Sequence, residues 1–84
     1  NGVRMTNKEK YNKVFMDCFN VSEDQLNEKF VYQCIPVWDS IGHMGMIAGL
    51  EEAFDIMMEM DDIVDFESYT VGIKKLKKYD VLID

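Results

Sequence analysis

Residues 40–54 read SIGHMGMIAGLEEAF, and no other stretch limits the architecture so tightly. At about 3.6 residues per helical turn, His43, Ile47, Leu50 and Phe54 form one apolar stripe, flanked by Met46 and Ala53. A second apolar stripe lies well round the same helix: Ile41, Met44 and Ala48, running into Glu52 and Asp55. Gly42, Gly45 and Gly49 make a third line, and each costs a helix about 1 kcal/mol relative to alanine. The first stripe is the expected core face. The second is read as a contact patch, with apolar area for affinity and carboxylates for orientation; the alternative is that a loop folds over it. The glycine line asks for a very close neighbour, supplied either by the same fold or by a partner.

The rest of the chain must bury that helix. Its 84 residues are 48% hydrophobic with one proline and five glycines, which suits a single helical domain over residues 1–84, ordered over about residues 7–80. Thr6 and Glu9 have capping-box spacing, and Tyr11, Val14, Phe15, Cys18 and Phe19 recur on one face behind them. A long connection follows from Asn20 to Asp39, with a short turn at Ser22-Glu23-Asp24 and Pro36 barring helix before Trp38. Leu26, Phe30, Ile35 and Val37 are the candidates to pin it. Helix two runs from Ser40 to Phe54, a short third helix from Asp61 to Phe66, and a last one from a Ser68 cap to Tyr79. Tyr69, Ile73 and Leu76 face inward on that last helix, and Lys74, Lys75, Lys77 and Lys78 crowd its C-terminal end, where the dipole favours cations. The expected fold is all-α, a small bundle of three main helices and one short helix.

Charge removes several function classes. The net charge is −7, which argues against nucleic acid and anionic membranes. No Lys or Arg occurs between Phe30 and Ile73, where nine acidic residues gather, so this stretch would steer toward basic partners. No apolar run is long enough for a membrane span, and the start does not resemble a signal peptide, so a cytoplasmic monomer is expected. Cys18 and Cys34 have no metal-ligand spacing; Cys18 is read as a small reduced core residue, in preference to a disulfide. Asp61, Asp62, Asp65 and Glu67 lack the glycine and spacing of an EF-hand loop and read as a solvated acidic face.

Ser40 is the residue whose role decides the function. Serine catalysis needs a base in reach, a group orienting it and oxyanion donors. The one histidine, His43, belongs to the core stripe, and no G-x-S-x-G elbow exists. No catalytic residue is therefore expected. As a helix N-cap, Ser40 would be ordinary. Yet an exposed hydroxyl at a helix start also lies where free N–H groups and the dipole favour a phosphate.

Trp-Asp-Ser-Ile-Gly-His-Met at 38–44, with Leu-Glu-Glu-Ala-Phe at 50–54, resembles the attachment region of acyl carrier proteins and related phosphopantetheine-binding carriers. Asp39-Ser40-Ile41 stands where that family has Asp-Ser-Leu, and the likeness extends through Asp61-Asp62-Ile63 to Ile73, Leu76 and Tyr79. The resemblance implies an acyl-carrier-like fold. It implies that Ser40, beside Asp39, receives 4′-phosphopantetheine from coenzyme A through a separate Mg²⁺-dependent phosphopantetheinyl transferase. Ile41, Met44, Ala48, Glu51, Glu52 and Asp55 would then meet partner enzymes: the transferase, an acyl- or aminoacyl-loading ligase, and downstream transferases or synthases. Gly42 and Gly45 stand where fatty-acid carriers usually place acids, which favours a stand-alone carrier of a specialised pathway. An acyl chain would shelter between helices two and three, where the pliable side chains of Met44, Met46, Met57, Met58 and Met60 suit an adaptable lining, although ordinary packing is the expected job of most of them. The rival from another class is an unmodified acidic adaptor using the same patch.

Overall fold

The computed structural model describes residues 4–83. Four α-helices form among them: α1 (Asn7–Phe19), α2 (Ser40–Phe54), α3 (Met60–Val64) and α4 (Tyr69–Lys77). A single 3₁₀ turn spans Glu23–Gln25. The chain is all-α with three main helices and one short one.

Local chemistry sets the ends of these helices. At the start of α1 the Glu9 N–H donates to Thr6 Oγ1 at 3.1 Å, and the Thr6 N–H donates to the Glu9 carboxylate at 2.8 Å. Asn20 and Asp55 close α1 and α2 in the left-handed region, with φ of 57° and 54°. The last two helices are shorter than their sequence suggests. Helix α3 begins one residue early, at Met60, and stops at Val64, which frees Phe66 to turn into the core. Helix α4 stops at Lys77, short of Tyr79, because Asp80 takes φ 63° and the Val81 N–H reaches back to the Leu76 carbonyl at 3.1 Å. That closure seats Val81 in the core.

The interior is mainly aromatic. Tyr11, Phe15, Phe19, Phe30, Trp38, Phe66 and Tyr69 are all buried, and Phe15 packs edge-on against both Trp38 and Tyr69. Rings in such contacts add about 0.5–1.5 kcal/mol per pair beyond their buried area. The buried polar atoms here find partners: the Tyr11 hydroxyl donates to the Tyr69 carbonyl at 2.7 Å, and the Tyr69 hydroxyl donates to Asn12 Oδ1.

The connection from Asn20 to Asp39 is pinned by two of these rings. Phe30 and Trp38 are buried, Leu26 and Ile35 pack against the core from its edge, and Val37 is exposed rather than an anchor. Backbone bonds from Tyr32 N–H to Glu67 O (2.8 Å) and from Tyr69 N–H to Phe30 O (2.9 Å) tie the loop to the start of α4. Both aromatic anchors sit beside these bonds or at the entry to α2, so the loop places Asp39 and Ser40.

Two of the three glycines in the α2 line, Gly42 and Gly49, are used inside the fold. A Cβ on Gly49 would lie 2.9 Å from Val14 Cγ1, and one on Gly42 would run into the Val37 carbonyl oxygen and crowd Phe19. Helix α1 therefore lies close along α2. Cys18, expected in the core, is exposed: its sulfur sits at the rim of this contact, donating to the Gly42 carbonyl at 3.6 Å. Partial desolvation there pushes its thiol above the ordinary value. Cys34 is also exposed, and both cysteines are free.

Asp62 belongs to a bridge, not to a solvated face. It is buried, with Lys78 Nζ at 2.9 Å, Lys75 Nζ at 3.8 Å and the Tyr79 hydroxyl donating to it. Tyr79 in turn accepts from the Glu59 N–H at 2.8 Å, so one cluster fastens α3 to the end of α4. The Tyr79 hydrogen bond first, then Lys78, holds the Asp62 carboxyl below its ordinary value. A carboxyl lowered on folding stabilises the fold fully above its unfolded value, and that gain is lost as pH falls through the folded value. Asp62→Asn is expected to cost about 1–2 kcal/mol at neutral pH. The gap from the native chain should close on acidification below about pH 4, where the carboxyl takes up its proton. Urea unfolding of both chains across that range measures this, and a gap independent of pH would contradict it.

Candidate functional site

The N-terminus of α2 is built by Asp39. Its backbone is extended (φ −103°, ψ −167°) and its side chain accepts the Gly42 N–H at 2.8 Å, so Asp39 is the N-cap. Ser40, expected to be the cap, is instead the first helical residue. The reason is reach: a carboxylate one residue earlier meets the third N–H of the helix with a charge that also complements the dipole. The His43 N–H goes to the Asp39 carbonyl at 2.8 Å. Ser40 is left exposed at the positive end, its hydroxyl released from any capping duty.

His43 is unavailable as a base for that hydroxyl. Trp38 Nε1–H donates to His43 Nδ1 at 3.0 Å, which requires a lone pair on Nδ1. The proton is therefore on Nε2, which donates to the Ile63 carbonyl at 2.8 Å. The imidazole lies parallel to the Trp38 indole (13° between planes) and meets Tyr32 and Phe66 edge-on. Both nitrogens have structural partners, which excludes a Ser40–His43 catalytic pair in this geometry.

The exposed side of α2 carries the predicted contact residues. Ile41 is 82% exposed and Met44 50%, with Ala48, Glu52 and Asp55 also exposed along the same side. The loop does not cover this stripe. Glu51 departs from the expectation: half-buried, it turns to accept the Met58 N–H at 2.9 Å and so holds the α2–α3 connection. The acidic field is also narrower than the sequence suggests, because Glu59, Asp62 and Asp65 lie against Lys75 or Lys78. Asp39, Glu52, Asp55, Asp61 and Glu67 remain exposed around the start and outer side of α2 and its neighbour α3.

Beside Ser40 opens a cleft of about 330 Å³ between α2 and α3. Met44, Met60, Ile63, Val64 and Phe66 give it apolar walls, and Ser40 is part of its lining. Of the five methionines suited to line such a space, Met44 and Met60 do so; Met46 and Met58 take the ordinary packing role expected of most of them, and Met57 is 85% exposed. Sequence reasoning missed Ile63 and Val64 as cleft residues, since nothing in a five-residue helix reports which side meets α2, and Tyr32, which the long connection brings there only on folding. It also missed Trp38 as the partner of His43, although the two are only five positions apart.

Among the described residues no helix is long and apolar enough to cross a membrane, and no grouping of three or more His, Cys, Asp or Glu is placed to hold a metal ion. No protein-family model matches the chain, and neither the curated proteins nor the solved structures yield a significant match.

Proposed function

We propose that the chain is a carrier protein: Ser40 is the attachment point for 4′-phosphopantetheine, and the protein presents acyl or aminoacyl intermediates to partner enzymes. The single observation that supports this most is an exposed serine hydroxyl at the first residue of a long helix, beside an apolar cleft and with both nitrogens of His43 engaged elsewhere. The residues suit the group. The N–H groups of Ser40 and Ile41 lack intrahelical acceptors, and the helix dipole favours a phosphodiester there. Once esterified, the arm supplies a terminal thiol that holds cargo as a thioester and raises its effective concentration near successive active sites. The proton of Ser40 must be taken by the transferase, because His43 is fully engaged. The cleft walled by Met44, Met60, Ile63 and Val64 offers shelter to an apolar chain, as the likeness to acyl carriers implies.

Ile41 and Met44 supply apolar docking area next to the attachment point, and Glu52 and Asp55 favour partners with a basic rim. Met44→Ala or Glu52→Lys is expected to slow modification or acyl transfer severalfold with little change in helicity. Kinetics of both steps, with circular dichroism, measure this; native rates in both variants would put docking on another face. An unmodified adaptor using the same patch is the second reading, favoured by the exposure of Ile41. Intact mass after incubation with coenzyme A, Mg²⁺ and a broad-specificity transferase separates the two. One phosphopantetheine increment supports the carrier, and none on a folded sample supports the adaptor.

A further inference from the structure

We propose that His43 determines how long an acyl group the α2–α3 cleft admits, by tying α3 to α2 at the Ile63 carbonyl; this rests on the carrier role of Ser40. Helix α3 has five residues, too few to hold itself together in water. Polar contacts hold it from two sides. On one side Asp62 is bound by Tyr79 and Lys78 of the α4 end. On the other, Ile63 O accepts the His43 Nε2–H, and both residues line the cleft.

The ring that makes the second contact has little freedom. Trp38, fully buried, grips Nδ1 from behind, and Tyr32 and Phe66 meet its edges. His43 therefore cannot follow Ile63 if α3 moves away. A group that fits between Met44, Met60, Ile63 and Val64 enters with the contact intact. A longer one must part α3 from α2, leaving a donor and a carbonyl unpaired in a half-buried site. His43 is thus a positioning residue that sets the depth of the cleft.

The test uses two variants. His43→Leu keeps bulk and loses both hydrogen bonds; His43→Gln keeps an N–H donor at similar reach. In the unmodified protein, hydrogen exchange at the Ile63 and Asp65 amides, which close the turns of α3, should quicken roughly fivefold in His43→Leu. It should return toward native values in His43→Gln, with α1 amides unchanged in both. Acyl forms from acetyl to dodecanoyl are then loaded on the thiol of the arm at Ser40 and challenged with hydroxylamine. Protection of the native thioester should rise with chain length and then cease to rise. That break should move to longer chains in His43→Leu and stay at the native length in His43→Gln. Unchanged α3 exchange, or an unchanged break, overturns the proposal while leaving the carrier role standing. Failure of the native chain to accept the arm overturns the carrier role itself.

Discussion

Ser40→Ala is expected to accept no phosphopantetheine under conditions that modify the native chain completely, while its stability changes by no more than about 0.5 kcal/mol. The two halves of this result have separate causes. Loss of modification follows from chemistry, since the Ser40 oxygen is the atom to be esterified. Retention of stability follows from the helix start: Asp39, not Ser40, accepts the Gly42 N–H, so removing the hydroxyl uncaps nothing. Asp39→Ala is the complementary variant. It should lose about 1 kcal/mol, the usual cost of an N-cap, and still carry the acceptor hydroxyl. Intact mass and urea unfolding of both variants decide the matter. A modified Ser40→Ala protein would place the arm elsewhere, and a strongly destabilised one would restore the serine as the cap.

Gly72→Ala should be the most damaging small change in the fold. A Cβ there would collide with the Phe66 ring and the Tyr11 hydroxyl, both buried and neither the loose end of a flexible side chain. Tyr11 is further fixed by its bond to the Tyr69 carbonyl. Overpacking of this kind costs about 1–3 kcal/mol or more, and the gain of about 1 kcal/mol in helix propensity does not cover the upper part of that range. A net loss of about 2 kcal/mol is expected, with Phe66 displaced from the floor of the cleft. Gly45→Ala is the internal control: its Cβ would meet only Cys18 Sγ at 3.7 Å, an ordinary contact. It should be neutral or stabilising by up to about 1 kcal/mol. Thermal or urea melts of the pair test this, and an undiminished stability of Gly72→Ala would mean that helix α4 has room the geometry denies it.

The elements were legible because their signals are local. Thr6 with Glu9 announces a helix start, Pro36 ends any helix before Trp38, and the stripe of His43, Ile47, Leu50 and Phe54 marks the core side of α2. Phe19 and Phe30 could be expected inside, but not that both would pack against a buried Trp38. The exceptions also have local explanations. Cys18 lies on the apolar face of α1, yet the glycines of α2 let that helix approach so closely that the sulfur is left at the rim. Val37 looks like an anchor by composition, but Trp38 beside it fills the core and leaves it outside.

From its order of residues alone this chain specifies helices, their main limits, a second apolar stripe at Ile41 and Met44, and a serine at a helix start. These depend on periodicity and on groups a few residues apart, which the chain brings together whatever the rest does. Only the tertiary structure decides that Asp39 relieves Ser40 of capping, that His43 is claimed by Trp38 and Ile63, and that Asp62 faces the lysines of α4. The His43 and Asp62 assignments join groups on elements that meet only on folding, while the Asp39 cap depends on the backbone path the loop takes into α2. No residue type signals either in advance.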